Sequence, residues 1–474
     1  MYSIRLTPER DQATPIYLQL YQRLRKAIGE GRLQPGERVP SVRALASELN
    51  LARGTVEAAY QLLVGEGYLL PRGPAGTVVS PQLPHAPTSA AIAPRPQTPS
   101  RSGSGPASEA LPFQLGLPAL DAFPRKLWSR LGARHLRQLG PTDLDYPDSQ
   151  GLPALRRSLV RYLGVSRGIA CEPQQVFITA GYRSALLLIR RALLQAGDAC
   201  WFEDPGYFKA REVLGGADLR LIPLPVDEQG LRVDEGQRLA ADARCALVTP
   251  SHQSPLGVSL SLPRRLALLD WAQASQAWII EDDYDSEYRY VGRPLPALKS
   301  LDHHGRVLYC GTFSKVLFPG LRLAYLVVPP AQVERFAACA RTFDHGCPAL
   351  AQAIAADFLD QGHFARHLKR MRALYAQRRG FLATALELVF GSALSVELQA
   401  GGIHLLARLD AVQDDVALAA RAQTAGLAVM ALSQWARKHP CGSGLLLGFT
   451  NIASAEQALH LARRLATALD QDAR

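Results

Sequence analysis

No run among the 474 residues stays apolar for the ~18–20 positions that a membrane-spanning helix requires. The opening residues, MYSIRLTPERDQ, lack the apolar core of a secretory signal, so a cytosolic protein without a membrane partner is expected. Cysteine is sparse and scattered: there are seven, an odd number, and none forms a Cys-x-x-Cys pair. A disulfide framework and a zinc site are therefore not expected; most of these cysteines read as small buried hydrophobes in a reducing compartment. No short-period repeat is present. The charge is basic, at +11, but it is not concentrated: residues 1–80 hold ten Lys/Arg against seven Asp/Glu, a net of only +3. Such a balance permits nucleic-acid binding without locating it. The remainder is ordinary globular composition, 47% hydrophobic and 20% charged, enough for a large domain plus a smaller one.

Aromatic residues disappear between Pro81 and Ala110, where proline, serine, alanine and glycine dominate. A segment of this kind cannot bury enough apolar surface to offset its chain entropy. The expected organisation is a unit at 1–80, a linker at 81–110 and a large domain at 111–474. In the large domain, apolar strands alternate with amphipathic helices. Strand candidates are Val176–Thr179, Cys200–Glu203, Ala246–Thr249, Trp278–Asp282, Val307–Cys310 and Ala324–Val328, with helices such as Ser184–Gln195 and Pro263–Ser275 between them. Alternation of this type implies an α/β fold with a mostly parallel sheet.

In the N-terminal unit, Ile16, Leu20, Leu24 and Ile28 recur at four-residue spacing and predict a helix over 16–30. Ser41 opens a second helix to Leu49, the turn NLARG follows, and a third helix runs from about Thr55 to Val64. Two short helices joined by a tight turn form a helix-turn-helix, and two β-like runs around Gly73–Gly76 add a wing. The stretch PSVRALASELNLARGTVEAAYQLLVGEGYL, with the later GTVV, resembles the GntR-type winged helix across nearly all of residues 12–80. The resemblance implies double-stranded DNA as partner. It also implies DNA contacts from Arg43 and from Arg53, Gly54 and Thr55 in the first turn of the recognition helix. Physics agrees: that helix end enters the major groove, where arginine bonds guanine and free N–H groups suit phosphate. One position departs. The family's serine before this arginine is Ala52 here, and the loss of a helix cap costs about 1 kcal/mol.

Further on, WIIEDDYDSEYRY runs a hydrophobic strand into carboxylates, where α/β folds bind ligands. VLYCGTFSKVLFPGLR ends another strand in a turn carrying Lys315, an amine able to form an imine with an aldehyde cofactor. Pyridoxal 5'-phosphate (PLP) would also need an acid at its pyridine nitrogen, donors at its phosphate and a ring partner. Asp282 can supply the acid. Tyr284, on the same side of an extended segment, can bond the phenolic oxygen. Arg322, Ser314 and Thr312 can bind phosphate, with the helix start at Gly181, Tyr182 and Arg183. Tyr207 of EDPGYF can stack on the ring.

The order of these pieces resembles fold-type-I PLP enzymes of the aspartate aminotransferase group, from about Phe113 to Leu469. The closer resemblance, through TPSHQSPLG, EDDYDSEYRY and GTFSKVLFPGLR, is to the MocR/GabR regulators, which join a GntR-type winged helix to such a domain. It implies Lys315 as the imine lysine, Asp282 at the pyridine nitrogen and Tyr284 at the phenolic oxygen. Arg322 and Ser314 would hold phosphate, Tyr207 would stack and the His252–Gln253 segment would line the ring. A homodimer is implied, with Tyr146 either reaching the partner's site or lying in the core. Arg183 departs from the usual small residue and glutamine; it either adds phosphate charge or pairs at the surface. The carboxylate-binding arginine common near the C-terminus is also missing. LLLGFTN places Leu446 near that position, leaving Arg437 or Arg408 as substitutes. The resulting expectation is a transcription regulator that senses an amine, an amino acid or PLP itself, with at most weak transaminase activity. The rival is an active aminotransferase with an accessory DNA-binding domain. The basic run His367–Arg379 reads as a solvated helix face.

Overall fold

The computed structural model describes residues 6–9, 14–82, 110–216, 218–292, 295–343, 346–409 and 414–469. Internal contacts divide the chain into two units, Met1–Gly105 and Pro106–Arg474. The expected linker falls outside the described residues, apart from its ends at 81–82 and 110.

The first unit contains α1 (Ile16–Gly29), β1 (Arg38–Val39), α2 (Val42–Glu48), α3 (Arg53–Gly65), β2 (Leu69–Pro71) and β3 (Thr77–Val79). The three short strands form one antiparallel sheet in the order β1-β3-β2. Leu20, Leu24 and Ile28 of α1 pack with Leu45, Val56, Tyr60 and Leu63 in a single core. The side chain of Ser41 caps α2, accepting from the Ala44 N–H at 3.2 Å. At the start of α3, Ala52 makes no cap bond. The Thr55 N–H bonds the Ala52 carbonyl at 3.0 Å, which leaves the N–H groups of Arg53 and Gly54 for another acceptor; both residues are exposed, as is Arg43 on α2, while Thr55 is half-buried.

The second unit opens with α4 (Arg125–Gln138) and α5 (Pro153–Arg167), followed by β4 (Val176–Thr179), α6 (Tyr182–Leu193), β5 (Ala199–Asp204), α7 (Phe208–Gly215), β6 (Arg220–Asp227), β7 (Gly230–Leu231) and α8 (Val233–Ala240). It continues through β8 (Cys245–Val248), α9 (Leu262–Ala274), β9 (Trp278–Asp283), β10 (Val307–Thr312), β11 (Ala324–Val327), α10 (Val333–Phe343), α11 (Ala349–Asp360) and α12 (His363–Phe390). Last come β12 (Leu394–Glu397), β13 (His404–Leu409), α13 (Asp415–Thr424), β14 (Met430–Ala431), β15 (Gly444–Gly448) and α14 (Ala455–Leu469).

The eight-stranded sheet has the order β4-β11-β10-β9-β8-β5-β6-β7. Strands β10, β9, β8, β5 and β6 are parallel, while β11 runs antiparallel to both its neighbours. Both faces are covered, which is why these strands read as unbroken apolar runs. One face packs on α6, α7 and α10 through Leu186, Ile189, Leu214 and Phe336. The other packs on α8 and α9, where Trp201 stacks on Trp271 with ring centroids 3.7 Å apart. Because β5, β8, β9 and β10 are parallel, their carboxyl ends share one edge of the sheet, where such folds place ligands.

A second, antiparallel sheet, β12-β13-β15-β14, packs on α12 and α13. The basic run on α12 is only partly the solvated face expected of it. Lys369, Arg370 and Arg372 are exposed, but His367 and Arg378 are buried. Arg378 closes an ion pair with Asp121 at 2.6 Å and bonds the Thr450 carbonyl, so it staples α12 rather than facing solvent.

Candidate functional site

A cavity of about 370 Å³ opens at the carboxyl edge of the large sheet. Strand β9 delivers Asp282 to its wall and, just past its end, Tyr284. Between them Asp283 turns to the opposite face. There it pairs with Arg167 at 2.7 Å and accepts from the Tyr309 hydroxyl at 2.6 Å. The period-two geometry of a strand thus places one carboxylate in the cavity and anchors the next beneath it. The end of β10 contributes Thr312, then Ser314 and Lys315. The start of α6 contributes Tyr182 and Arg183, and Arg322 reaches in from the turn before β11. Gly181 caps α6, directly under the Arg322 guanidinium, which also donates to the Ala180 carbonyl at 2.8 Å. Arg322 itself adopts φ +54°, in the left-handed region that non-glycine residues seldom occupy. Tyr207 stands on the cavity wall between Tyr182 and Trp435, with centroids 6.3 and 6.0 Å away.

The predicted set thus converges, with one displacement. His252 does not line the cavity. It lies behind Tyr284, with Nδ1 2.9 Å from the tyrosine oxygen. Gln253 is buried further away, donating to the Pro205 carbonyl and to Glu203. Ser254 and Pro255 line the wall instead. In a loop, unlike a strand, spacing along the chain does not tell which residue faces the ligand.

Other wall residues were not singled out from the sequence. The Gly116 carbonyl accepts from Lys315 Nζ at 2.7 Å, and Gly116 adopts φ +71°, the left-handed region that favours glycine. Lys209, Phe208, Met430 and Trp435 complete the outer wall. The indole N–H of Trp435 is buried without an acceptor among the described residues. Leu446, on β15, faces the cavity as an apolar residue. Neither candidate substitute for a carboxylate-binding arginine is there. Arg408 pairs with Glu397 at 3.0 Å and bonds the Cys441 carbonyl, while Arg437 lines a separate cleft with Arg211 and Lys438. Arg183 makes no ion pair among the described residues and lies on the cavity wall. Tyr146 is not core: it is 87% exposed.

Burial sets the electrostatics. It lowers the Lys315 amine to about 8, helped by the like charge of Lys209, so a useful fraction is neutral and nucleophilic near physiological pH. Burial also raises Asp282 to about 8, with Asp283 and Glu203 adding negative charge nearby. Asp282 has no ion-pair partner among the described residues, so a cationic group brought into the cavity would relieve it. A protonated pyridine nitrogen is such a group. At the other end, Arg322 and the open N–H groups of α6 suit a phosphate. The donor set therefore fits PLP.

A pH dependence follows for the cofactor-free chain. The folded-state pKa of Asp282 is raised, so its contribution is fully present below the unfolded carboxylate range and is lost as pH rises through about 8. The stability of Asp282→Asn relative to the unsubstituted chain should therefore improve steadily between about pH 4 and pH 8. Denaturant melts at several pH values check this; a constant difference would contradict it.

Comparison with known proteins agrees with this architecture. Residues 16–79 match the bacterial regulatory proteins of the gntR family, and residues 121–439 match aminotransferase class I and II. The chain is 38% identical to the probable rhizopine catabolism regulatory protein MocR of Rhizobium meliloti, over 94% of this chain and 92% of that one. It is 35% identical to the pyridoxine biosynthesis transcriptional regulator PdxR of Corynebacterium glutamicum, over 92% of each. The kynurenine aminotransferase of Pyrococcus horikoshii, solved in complex with PMP, superposes with a TM-score of 0.70 at 27% identity, covering 78% of this chain and 92% of that one. The chain belongs to the MocR-type transcription regulators, in which a GntR-family DNA-binding domain is fused to an aminotransferase-like domain whose cofactor is pyridoxal phosphate.

Proposed function

We propose that this regulator reads an amine or amino acid at Lys315 and converts that event into altered operator binding. The division of labour follows the expected boundaries, with residues 1–80 on DNA, 81–110 as linker and 111–474 as the sensing domain. Bound in the cavity, pyridoxal phosphate supplies an aldehyde that condenses with a primary amine. Lys315 holds it, with the Gly116 carbonyl orienting the amine. Asp282 would keep the pyridine nitrogen protonated, and Tyr284 would bond the phenolic oxygen. Arg322, Ser314, Thr312 and the start of α6 take the phosphate, and Tyr207 covers the ring. Lys209 and Trp435 offer donors on the outer wall, where an effector's own polar group would sit.

The observation that carries a regulatory rather than a metabolic reading is Leu446 on the cavity wall, with Arg408 and Arg437 both held elsewhere. With no arginine from the C-terminal sheet to fix an α-carboxylate, and with Arg183 on the side of the α6 start that suits the phosphate, the geometry for repeated transamination is weakened. Arrival of an effector frees Lys315 and shifts the domain between two states, by at most the ligand's differential affinity, ~1–3 kcal/mol in typical cases. A homodimer is part of this reading. Leu144 and Tyr146, 77% and 87% exposed on one loop, offer apolar surface that a second copy would cover. Two winged helices would then read paired half-sites. The chain acts in the cytosol, where its DNA lies.

The test is a panel of amines and amino acids mixed with the PLP-loaded protein. Absorbance, keto-acid release and operator affinity are followed together. The expected result is an effector that changes operator affinity while keto acid stays near background. Steady keto-acid release with unchanged DNA affinity would establish the aminotransferase instead.

A further inference from the structure

The Nδ1 atom of His252 faces two groups at once. It lies 2.9 Å from the Tyr284 hydroxyl and 3.1 Å from each carboxylate oxygen of Asp285. His252 and Asp285 are both buried, at 7% and 1% exposure. Glycine backbone packs closely on the ring: a Cβ on Gly402 would come within 2.3 Å of its Cε1, and one on Gly257 within 3.0 Å of its Nε2.

A neutral imidazole carries its proton on one nitrogen only. With Nδ1 bare, its lone pair would point at the buried Asp285 carboxylate, acceptor against acceptor. With Nδ1 protonated, the N–H donates to Asp285. The Tyr284 oxygen then faces a donor, so its own proton cannot be given to His252 and must be directed elsewhere. Ser254, whose side chain also bonds Tyr284, stands on the same wall, and the open direction is the cavity that both line.

We infer that Asp285 and His252 act as positioning residues: Asp285 selects the Nδ1–H form of His252, and His252 in turn holds the Tyr284 hydroxyl as a hydrogen-bond donor into the PLP cavity. The inference rests on the placement of Tyr284 beside the phenolic oxygen of PLP, as proposed above. Burial, with the nearby Asp285 charge, holds the Tyr284 phenol well above its usual range, so the proton is there to be donated. Other ionisable groups facing this cluster are Asp282 and Glu203 near Tyr284, and His404 from β13, with its ring 5.9 Å from that of His252. Arg167 and Arg289 border the small void behind Asp285. His404 also lines the cavity, near Lys315, with its Nε2 meeting the Pro255 carbonyl at 3.0 Å.

A donor at the phenolic oxygen withdraws electron density from it and weakens its hold on the imine proton. The relay therefore keeps the imine's spectroscopic pKa low. The experiment is a pH titration of the imine absorbance of the PLP-loaded protein, comparing Tyr284→Phe, Asp285→Asn and His252→Gln with the unsubstituted chain. Each variant should raise the pKa by about one unit, the scale of one hydrogen bond's effect on a protonation equilibrium. If Tyr284→Phe shifts it and the other two do not, the relay is wrong while the placement of Tyr284 stands. If Tyr284→Phe also leaves it unmoved, the placement itself fails. A second measurement needs neither cofactor nor a well-folded Asp285 variant. The ¹⁵N spectrum of histidine-labelled protein, with His252 assigned by its loss in His252→Gln, should show the proton on Nδ1. A proton on Nε2 would overturn the inference.

Discussion

Lys315→Ala should remove the imine absorbance of the PLP-loaded protein altogether. Of the lysines, Lys315 lies on the cavity wall opposite the buried Asp282 carboxylate, at the end of β10. Lys209 shares the wall but is exposed at its outer side. The amine of Lys315 is lowered to about 8 by burial, so it can act as a nucleophile where an ordinary surface lysine stays protonated. Alanine removes that amine and its bond to the Gly116 carbonyl, but leaves Arg322 and the start of α6 for the phosphate. The variant should still bind PLP, more weakly and without the imine band. A band near that of the unsubstituted protein would mean that another lysine carries the cofactor.

Arg53→Ala should weaken operator binding by about 10- to 100-fold at fixed salt, the ~1–3 kcal/mol of a good arginine–guanine contact. Arg53 is the first residue of α3, exposed, at a helix start that Ala52 leaves without a cap bond. The open N–H groups and the arginine there present donors together to DNA. Arg43, exposed on the first turn of α2, should also cost affinity when replaced by alanine. If it meets a phosphate, the loss will be similar on all sequences and the salt dependence will fall by about one unit of slope. Binding to the protected DNA fragment and to a scrambled duplex, each at several salt concentrations, separates the two roles. Unchanged affinity for both variants would put the winged-helix interface elsewhere.

The sheet's inner strands were legible because both their faces are buried, which leaves continuous apolar runs such as WII and VLYC. The reactive set was legible because strand ends in a parallel sheet converge, so Asp282, Tyr284, Thr312 and Lys315 could be placed together from their offsets. Strand β6, RLIPLPVD, was missed because Pro223 and Pro225 argue against a strand; it tolerates them beside the two-residue edge strand β7. The antiparallel sheet around β13 and β15 was not resolved into strands, and so Met430 and Trp435 were not foreseen on the cavity wall. Gly116 and Ser254 were invisible for a related reason: each lies in irregular backbone, where no period links sequence spacing to direction. His252 shows the same limit in reverse. Its motif pointed to the ring, and the loop instead set it behind Tyr284, where its bond to Asp285 gives it a different task.

Chemistry at Lys315 should be read out on DNA. The most direct measurement is operator affinity of the PLP-loaded protein with and without an amine that changes its imine spectrum, performed in parallel on Lys315→Ala. The account predicts that the amine shifts the affinity of the unsubstituted protein by roughly 5- to 150-fold, the range of typical allosteric couplings, and leaves Lys315→Ala unmoved. An amine that changes the spectrum yet leaves operator affinity the same would contradict it.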